Sequence, residues 1–190
     1  MQIGLYFGSF NPIHIGHLII ANHILNCGKI EKIWFVVSPQ NPFKSNGSLL
    51  KDYDRLHFVR LATEDDNRIK VSDIEFHLEK PSYTINTLTY LQEKYPEYFF
   101  SLIMGSDSFK NLYKWKNSEI IIKNYPITVY PRPGFEIENN LQADMQIADA
   151  PLLEISATEI RELIKAGKSI RYLVPEKVRE EIEMNKHYKK

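Results

Sequence analysis

Apolar residues fall in short blocks whose spacing switches between the strand and helix periods. Met1 to Phe7 reads as a buried strand. From Ile15 to Leu25 the apolar positions recur at helical spacing: Ile15, Leu18, Ile19 and Leu25, with Ile20, Ala21 and Ile24 widening the face. Ile33 to Val37, β-branched and aromatic, is a second buried strand. A parallel return through a helix needs a right-handed crossover, so this stretch is a βαβ unit. The alternation then continues with less regular links. Helices are expected over Tyr53 to Glu64, Thr84 to Lys94 and Ser106 to Leu112, and strands over Ile69 to Val71, Tyr98 to Ile103 and Ile127 to Tyr130. Met145 to Ala148 and Leu152 to Ile155 are short strand candidates. Ser156-Ala-Thr-Glu159 fits a capping box that opens a helix, and Gly167 is a plausible stop for it. Pro175 stands where a first helical residue would, opening Glu176 to Met184.

This order predicts an α/β chain: a Rossmann-like, doubly wound, mainly parallel sheet with helices on both faces. The 190 residues suit one domain running from residue 1 to 190. Ligands of such sheets bind beyond the carboxyl ends of the strands, where the strand order reverses.

Composition narrows the class. The formal net charge is zero, which argues against a broad nucleic-acid-binding surface but leaves room for a small anionic ligand held by converging groups. No apolar run is long enough to span a bilayer, and the N-terminus lacks a secretory pattern. Cys27 is the single cysteine, so there is no internal disulfide and no cysteine-rich zinc site. Together these predict a cytoplasmic protein without a membrane or nucleic-acid partner; a homo-oligomer stays open. The basic end, Asn185 to Lys190, is expected to fray.

The candidate chemistry gathers in the turn after the first strand, Gly8-Ser-Phe-Asn-Pro-Ile-His-Ile-Gly-His17. Gly8 lets the backbone turn sharply, Pro12 stiffens the loop, and Gly16 leaves room between the histidines. His14 and His17, three apart at a helix start, share one face. The free N–H groups and positive dipole end of that helix make the place a site for phosphate oxygens. An isolated histidine pair reads as polar surface or as a cap, but the surrounding glycines, proline and strand–turn–helix setting favour the ligand site. A metal site is weaker, because no carboxylate or third histidine lies nearby in sequence.

Other segments stand at strand ends. Lys44, in the stiff loop Ser38 to Lys44, can serve as a point charge for phosphate. Thr158 and Arg161 are left over once Ser156 and Glu159 are explained as a cap, and they could converge on a triphosphate. Gly105 permits close approach of a nucleotide. Asp107 suits ribose hydroxyls, though without further context a helix-start aspartate is the better reading. Arg132 fits a phosphate contact or a surface turn.

The turn resembles the G-x-F-x-P-x-H-x-G-H signature of the HxGH nucleotidyltransferase superfamily at every fixed position. Ile155 to Arg161 is similar to its I-S-S-T-x-I-R element, with Ala157 in place of one serine. Further segments resemble the nicotinate-nucleotide adenylyltransferase family: Pro81-Ser-Tyr-Thr-Ile-Asn-Thr-Leu88, the Gly105-Ser-Asp107 to Trp115 spacing, Arg132-Pro-Gly134, and Tyr172-Leu-Val-Pro175. Asn86 departs by standing where that family has Asp. The resemblance implies adenylyl transfer from ATP, with Mg2+, to nicotinate mononucleotide, giving deamido-NAD and pyrophosphate by direct displacement. It implies His14 and His17 as catalytic groups that stabilise charge on the phosphates. ATP would meet Gly8, Ser9, Phe10, His14, His17, Gly105, Asp107, Ser156, Thr158 and Arg161. The mononucleotide would meet Lys44, Thr84, Trp115 and Arg132, with an aromatic face on its cationic ring. No protein-held metal site is implied. Read without the resemblance, Trp115 is a packing residue and Thr84 a helix cap. Two alternatives remain: the same chemistry with nicotinamide mononucleotide or phosphopantetheine as acceptor, and a nucleotide-binding regulator without catalysis.

Overall fold

The computed structural model of the chain describes residues 1–39 and 49–189. Its centre is a six-stranded sheet in the order β3-β2-β1-β4-β5-β6, built from β1 (Gln2–Gly8), β2 (Lys32–Val37), β3 (Ile69–Ser72), β4 (Phe99–Gly105), β5 (Ile127–Tyr130) and β6 (Met145–Ile147). Every pairing is parallel, so the sheet goes further than the expected mainly parallel one. The order reverses between β1 and β4, which places the expected binding crevice beyond their carboxyl ends.

Alternation along the strands divides the core in two, because successive side chains point to opposite faces. Ile33, Phe35 and Val37 of β2 join one apolar cluster, while Trp34 and Val36 join the other. The first cluster is closed by α1 (Ile15–Asn26), α2 (Asp52–Thr63), α6 (Ala157–Lys165) and α7 (Glu176–Met184). The second is closed by α3 (Thr84–Lys94), α4 (Ser106–Lys110) and α5 (Ser118–Asn124). Helices therefore cover both faces, as an all-parallel sheet requires.

Most elements form where the periodicity predicts them, with ends shifted by one or two residues. The Ser106 to Leu112 helix stops as α4 at Lys110, and a separate 3-10 turn follows over Leu112–Lys114. α5 was not anticipated: its apolar triplet, Ile120 to Ile122, is too short to show a period, and Ile121 is its one fully buried isoleucine. Leu152 to Ile155 is not a strand. The chain has already left the sheet edge at β6, so this segment has no ladder partner, and Ile155 packs beside Gly16 instead. Ser156 caps α6 by accepting the Glu159 N–H at 3.1 Å, and Gly167, at φ +67°, supplies the left-handed residue just beyond the helix.

Against the fraying expected from composition, the described part of the C-terminal segment, through residue 189, makes tertiary contacts. The His187 N–H donates to the Ile182 carbonyl at 3.0 Å, and its ring stands edge-on to Phe58 at 5.6 Å. The Tyr188 hydroxyl donates to Asn11 Oδ1 at 2.9 Å. A half-buried tyrosine with a satisfied hydroxyl outweighs the solvation of the neighbouring lysines.

Candidate active site

A cavity of about 610 Å³ opens beyond the carboxyl ends of β1, β2, β4 and β5. It is lined by Gly8, Ser9, Phe10, His14 and His17 from the first turn, and by Gly105, Asp107 and Arg132 from the ends of β4 and β5. Ser156, Thr158 and Arg161 close one side, and Thr84 and Trp115 another. Every site residue expected from sequence thus borders this one space except Lys44, which lies outside the described residues.

The histidines hold each other. Their rings stack at 3.7 Å with planes 29° apart, and the His14 backbone N–H donates to His17 Nδ1 at 3.2 Å. An Nδ1 that accepts leaves Nε2 as the protonated nitrogen of a neutral His17. His14 is only 4% exposed, and burial first, then the Arg132 charge, lowers its pKa to about 4. It is therefore neutral at pH 7. Gly16 leaves the ring its room here, because a Cβ at that position would stand 3.0 Å from His14 Nδ1 and crowd it. Phe10, at φ +42°, holds the turn by edge contacts to Tyr6 and His17.

The strand ends supply the opposite wall. A Cβ at Gly105 would lie 2.4 Å from Asp107 Oδ1, so only glycine leaves that carboxylate its place. Asp107 makes no helix-cap hydrogen bond and instead stands 3.9 Å from Arg132 Nε. Arg132 both opens a turn, its carbonyl accepting from the Phe135 N–H at 3.2 Å, and lines the cavity. Its backbone N–H is anchored by Ser106 Oγ at 2.9 Å, while its Nε is buried with no hydrogen-bond partner among the described residues.

On α6, Arg161 donates from Nη1 to the Asn11 carbonyl at 2.7 Å and from Nη2 to Thr158 Oγ1 at 3.1 Å. Ser156 accepts as a cap and so keeps its own O–H free to donate. Thr84 begins α3 without capping it. Trp115 is half-buried against the second core cluster, so its packing role and its place in the cavity coexist. Beside it, Lys116 Nζ sits 4.5 Å from the centre of the Tyr83 ring.

Several lining or supporting residues escaped the sequence reading. Arg55 is fully buried and donates to the carbonyls of Leu50, Ser9, Ser38 and Pro39, as well as to Asp52 Oδ1 at 2.8 Å. It thereby ties the loop after β1 to the loop after β2. Glu75, Tyr83, Lys116 and Tyr130 also line the space. The one local signal for Tyr83 was its place in the Pro81 to Leu88 segment; Arg55 and Glu75 carried none.

A family model described as cytidylyltransferase-like matches residues 5–163, which sets the class: a nucleotidyltransferase of the cytidylyltransferase-like type. A probable nicotinate-nucleotide adenylyltransferase of Flavobacterium johnsoniae is 54% identical over 193 residues, covering 100% of both chains. One of Cytophaga hutchinsonii is 50% identical, covering 99% of this chain and 98% of its own. The chain belongs to the nicotinate-nucleotide adenylyltransferase family. The fold agrees: the nicotinic acid mononucleotide adenylyltransferase of Plasmodium falciparum, solved in complex with NaAD, superposes with a TM-score of 0.85 at 23% identity over 98% of this chain and 97% of that one. Among the described residues no helix is long and apolar enough to cross a membrane.

Proposed function

We propose that the chain transfers the adenylyl group of ATP to nicotinate mononucleotide, forming nicotinate adenine dinucleotide and pyrophosphate. The observation that carries this reading is the meeting, in one cavity, of the histidine turn, the start of α6 and the Thr84–Trp115 wall. Full-length identity to the curated relatives supports it. The whole chain, 1–190, acts as one catalytic domain.

In this reading the triphosphate lies over the turn after β1 and against the α6 start. Backbone N–H groups of Ser9 and Phe10 and the first turn of α6 meet its oxygens, joined by the Ser156 and Thr158 hydroxyls and the remaining Arg161 N–H groups. Gly105 lets the adenosine approach the sheet, and Asp107 accepts from the ribose hydroxyls. Thr84 and the backbone near Trp115 hold the nicotinate carboxylate, and Arg132 and Lys44 hold the mononucleotide phosphate.

A phosphate oxygen of the mononucleotide attacks the α-phosphorus of ATP, and the bond from that phosphorus to the oxygen bridging to the β-phosphate breaks. The electron pair leaves with pyrophosphate, and because the attacking phosphate oxygen is already ionised no proton has to be removed from it. Catalysis is then positioning and charge stabilisation. His17 donates from Nε2, and neutral His14 adds a second imidazole dipole beside the helix N-terminus.

Among the described residues no three of His, Cys, Asp and Glu cluster as a metal cage. A Mg2+ carried in on the phosphates of ATP would offset their charge, with the phosphate-facing groups of the cavity holding the complex.

Acceptor choice is the test. Pyrophosphate release from ATP and Mg2+ is measured with nicotinate mononucleotide, nicotinamide mononucleotide and phosphopantetheine in turn. The reading requires the highest kcat/KM with the nicotinate form. A preference for either other acceptor overturns the assignment of the Thr84–Trp115 wall, and release with none of them overturns adenylyl transfer itself.

A further inference from the structure

Glu75 has no part in the reaction as derived, yet it is the buried carboxyl of the cavity wall, only 2% exposed. It sits in the 3-10 turn Ile74–Phe76, directly beyond β3. Thr87 Oγ1 of α3 donates to Glu75 Oε1 at 2.9 Å. The hydroxyls of Ser38, beyond β2, and Ser82, before α3, also face the carboxyl. Burial pushes its pKa up, and the hydroxyls of Ser38, Thr87 and Ser82 act against that. Glu75 Oε2 and Ser82 Oγ are both buried without a hydrogen-bond partner among the described residues.

A buried carboxyl is costly, and an apolar residue would serve the packing of this turn on α3 better. What Glu75 does that leucine cannot is bond the turn after β3 to α3 through Thr87 and set a polar group beside the Ser38 and Ser82 hydroxyls. Two of its hydroxyl neighbours bracket Tyr83 and Thr84, which face the cavity. We propose that Glu75 is a positioning residue for the acceptor half of the cavity. Through Ser82 and Thr87 it sets where Tyr83 and Thr84 meet the pyridine-bearing mononucleotide, and the two orphaned oxygens close on each other when that half is filled. This rests on the adenylyl-transfer reading given above.

The test is a split between the two KM values of the intact enzyme. In Glu75→Ala the KM for nicotinate mononucleotide rises about tenfold while the KM for ATP and kcat stay within about twofold. Glu75→Gln keeps an oxygen for Thr87 and a polar group toward Ser82, and restores the acceptor KM. Ser82→Ala, which deletes one hydroxyl and leaves the core intact, raises the acceptor KM severalfold and serves if Glu75→Ala does not fold. A rise of both KM values together, or an acceptor KM unmoved in folded Glu75→Ala or Ser82→Ala, overturns the proposal. Wild-type enzyme runs in the same assay: if it fails to use nicotinate mononucleotide, the adenylyl-transfer reading falls and takes the Glu75 proposal with it.

Discussion

Arg161 donates to the carbonyl oxygen of Asn11 at 2.7 Å, across 150 residues of sequence. That bond ties the start of α6 to the histidine turn, the two segments proposed to hold the triphosphate. A lysine cannot make the paired contact to Asn11 and Thr158 from one planar group. Arg161→Lys is therefore expected to raise the KM for ATP about tenfold, with a smaller effect on the acceptor KM, and steady-state kinetics with each substrate varied will read it.

The same asparagine is held from its other side. Asn11 Oδ1 accepts from the Tyr188 hydroxyl at 2.9 Å and from the Leu50 N–H at 3.1 Å. Tyr188→Phe removes one neutral hydrogen bond and is expected to lower stability by about 1 kcal/mol, measured as a shift in the denaturation midpoint.

His14 makes stability depend on pH. Its pKa is about 4 in the folded chain, against 6.5 as the ordinary value, so between those limits the unfolded chain binds more protons. The folded state is therefore fully favoured above pH 6.5 and loses stability as pH falls toward 4, by about 3 kcal/mol in all from this one group. Denaturation at pH 7, 5.5 and 4 measures the slope, and His14→Gln removes this part of it.

Arg55 is expected to be the most damaging single loss outside the substrate contacts. Arg55→Met leaves the carbonyls of Ser9, Ser38 and Leu50 without this donor and Asp52 without its 2.8 Å partner. The cost is about 3 kcal/mol or more. A folded variant is also expected to lose kcat, because the loops after β1 and β2 are no longer tied together. Chemical denaturation and turnover together check both parts.

What the sequence disclosed was local. The βαβ opening, the histidine turn and the Ser156 cap are each written within a dozen residues, because helix periods, glycine turns and caps are short-range. What it withheld depends on long-range partners. Arg55 lies in a helix whose pattern gives an arginine no reason to be buried. Its burial becomes intelligible only when loops from two other strands bring their carbonyls to it. Glu75 is legible only once α3 sets Thr87 beside it. The C-terminal segment misled in the same way: its lysines suggested fraying, while Tyr188 had a partner at residue 11. Leu152 to Ile155 had the apolarity of a strand but no neighbouring strand to pair with.

The most direct test of the account follows both products at once in wild-type enzyme and in His17→Ala, with ATP, Mg2+ and nicotinate mononucleotide. Wild type is expected to give one dinucleotide for each pyrophosphate, and a folded His17→Ala to lose kcat by about 100- to 1,000-fold. Pyrophosphate without dinucleotide, or a folded His17→Ala that turns over at the wild-type rate, would contradict it.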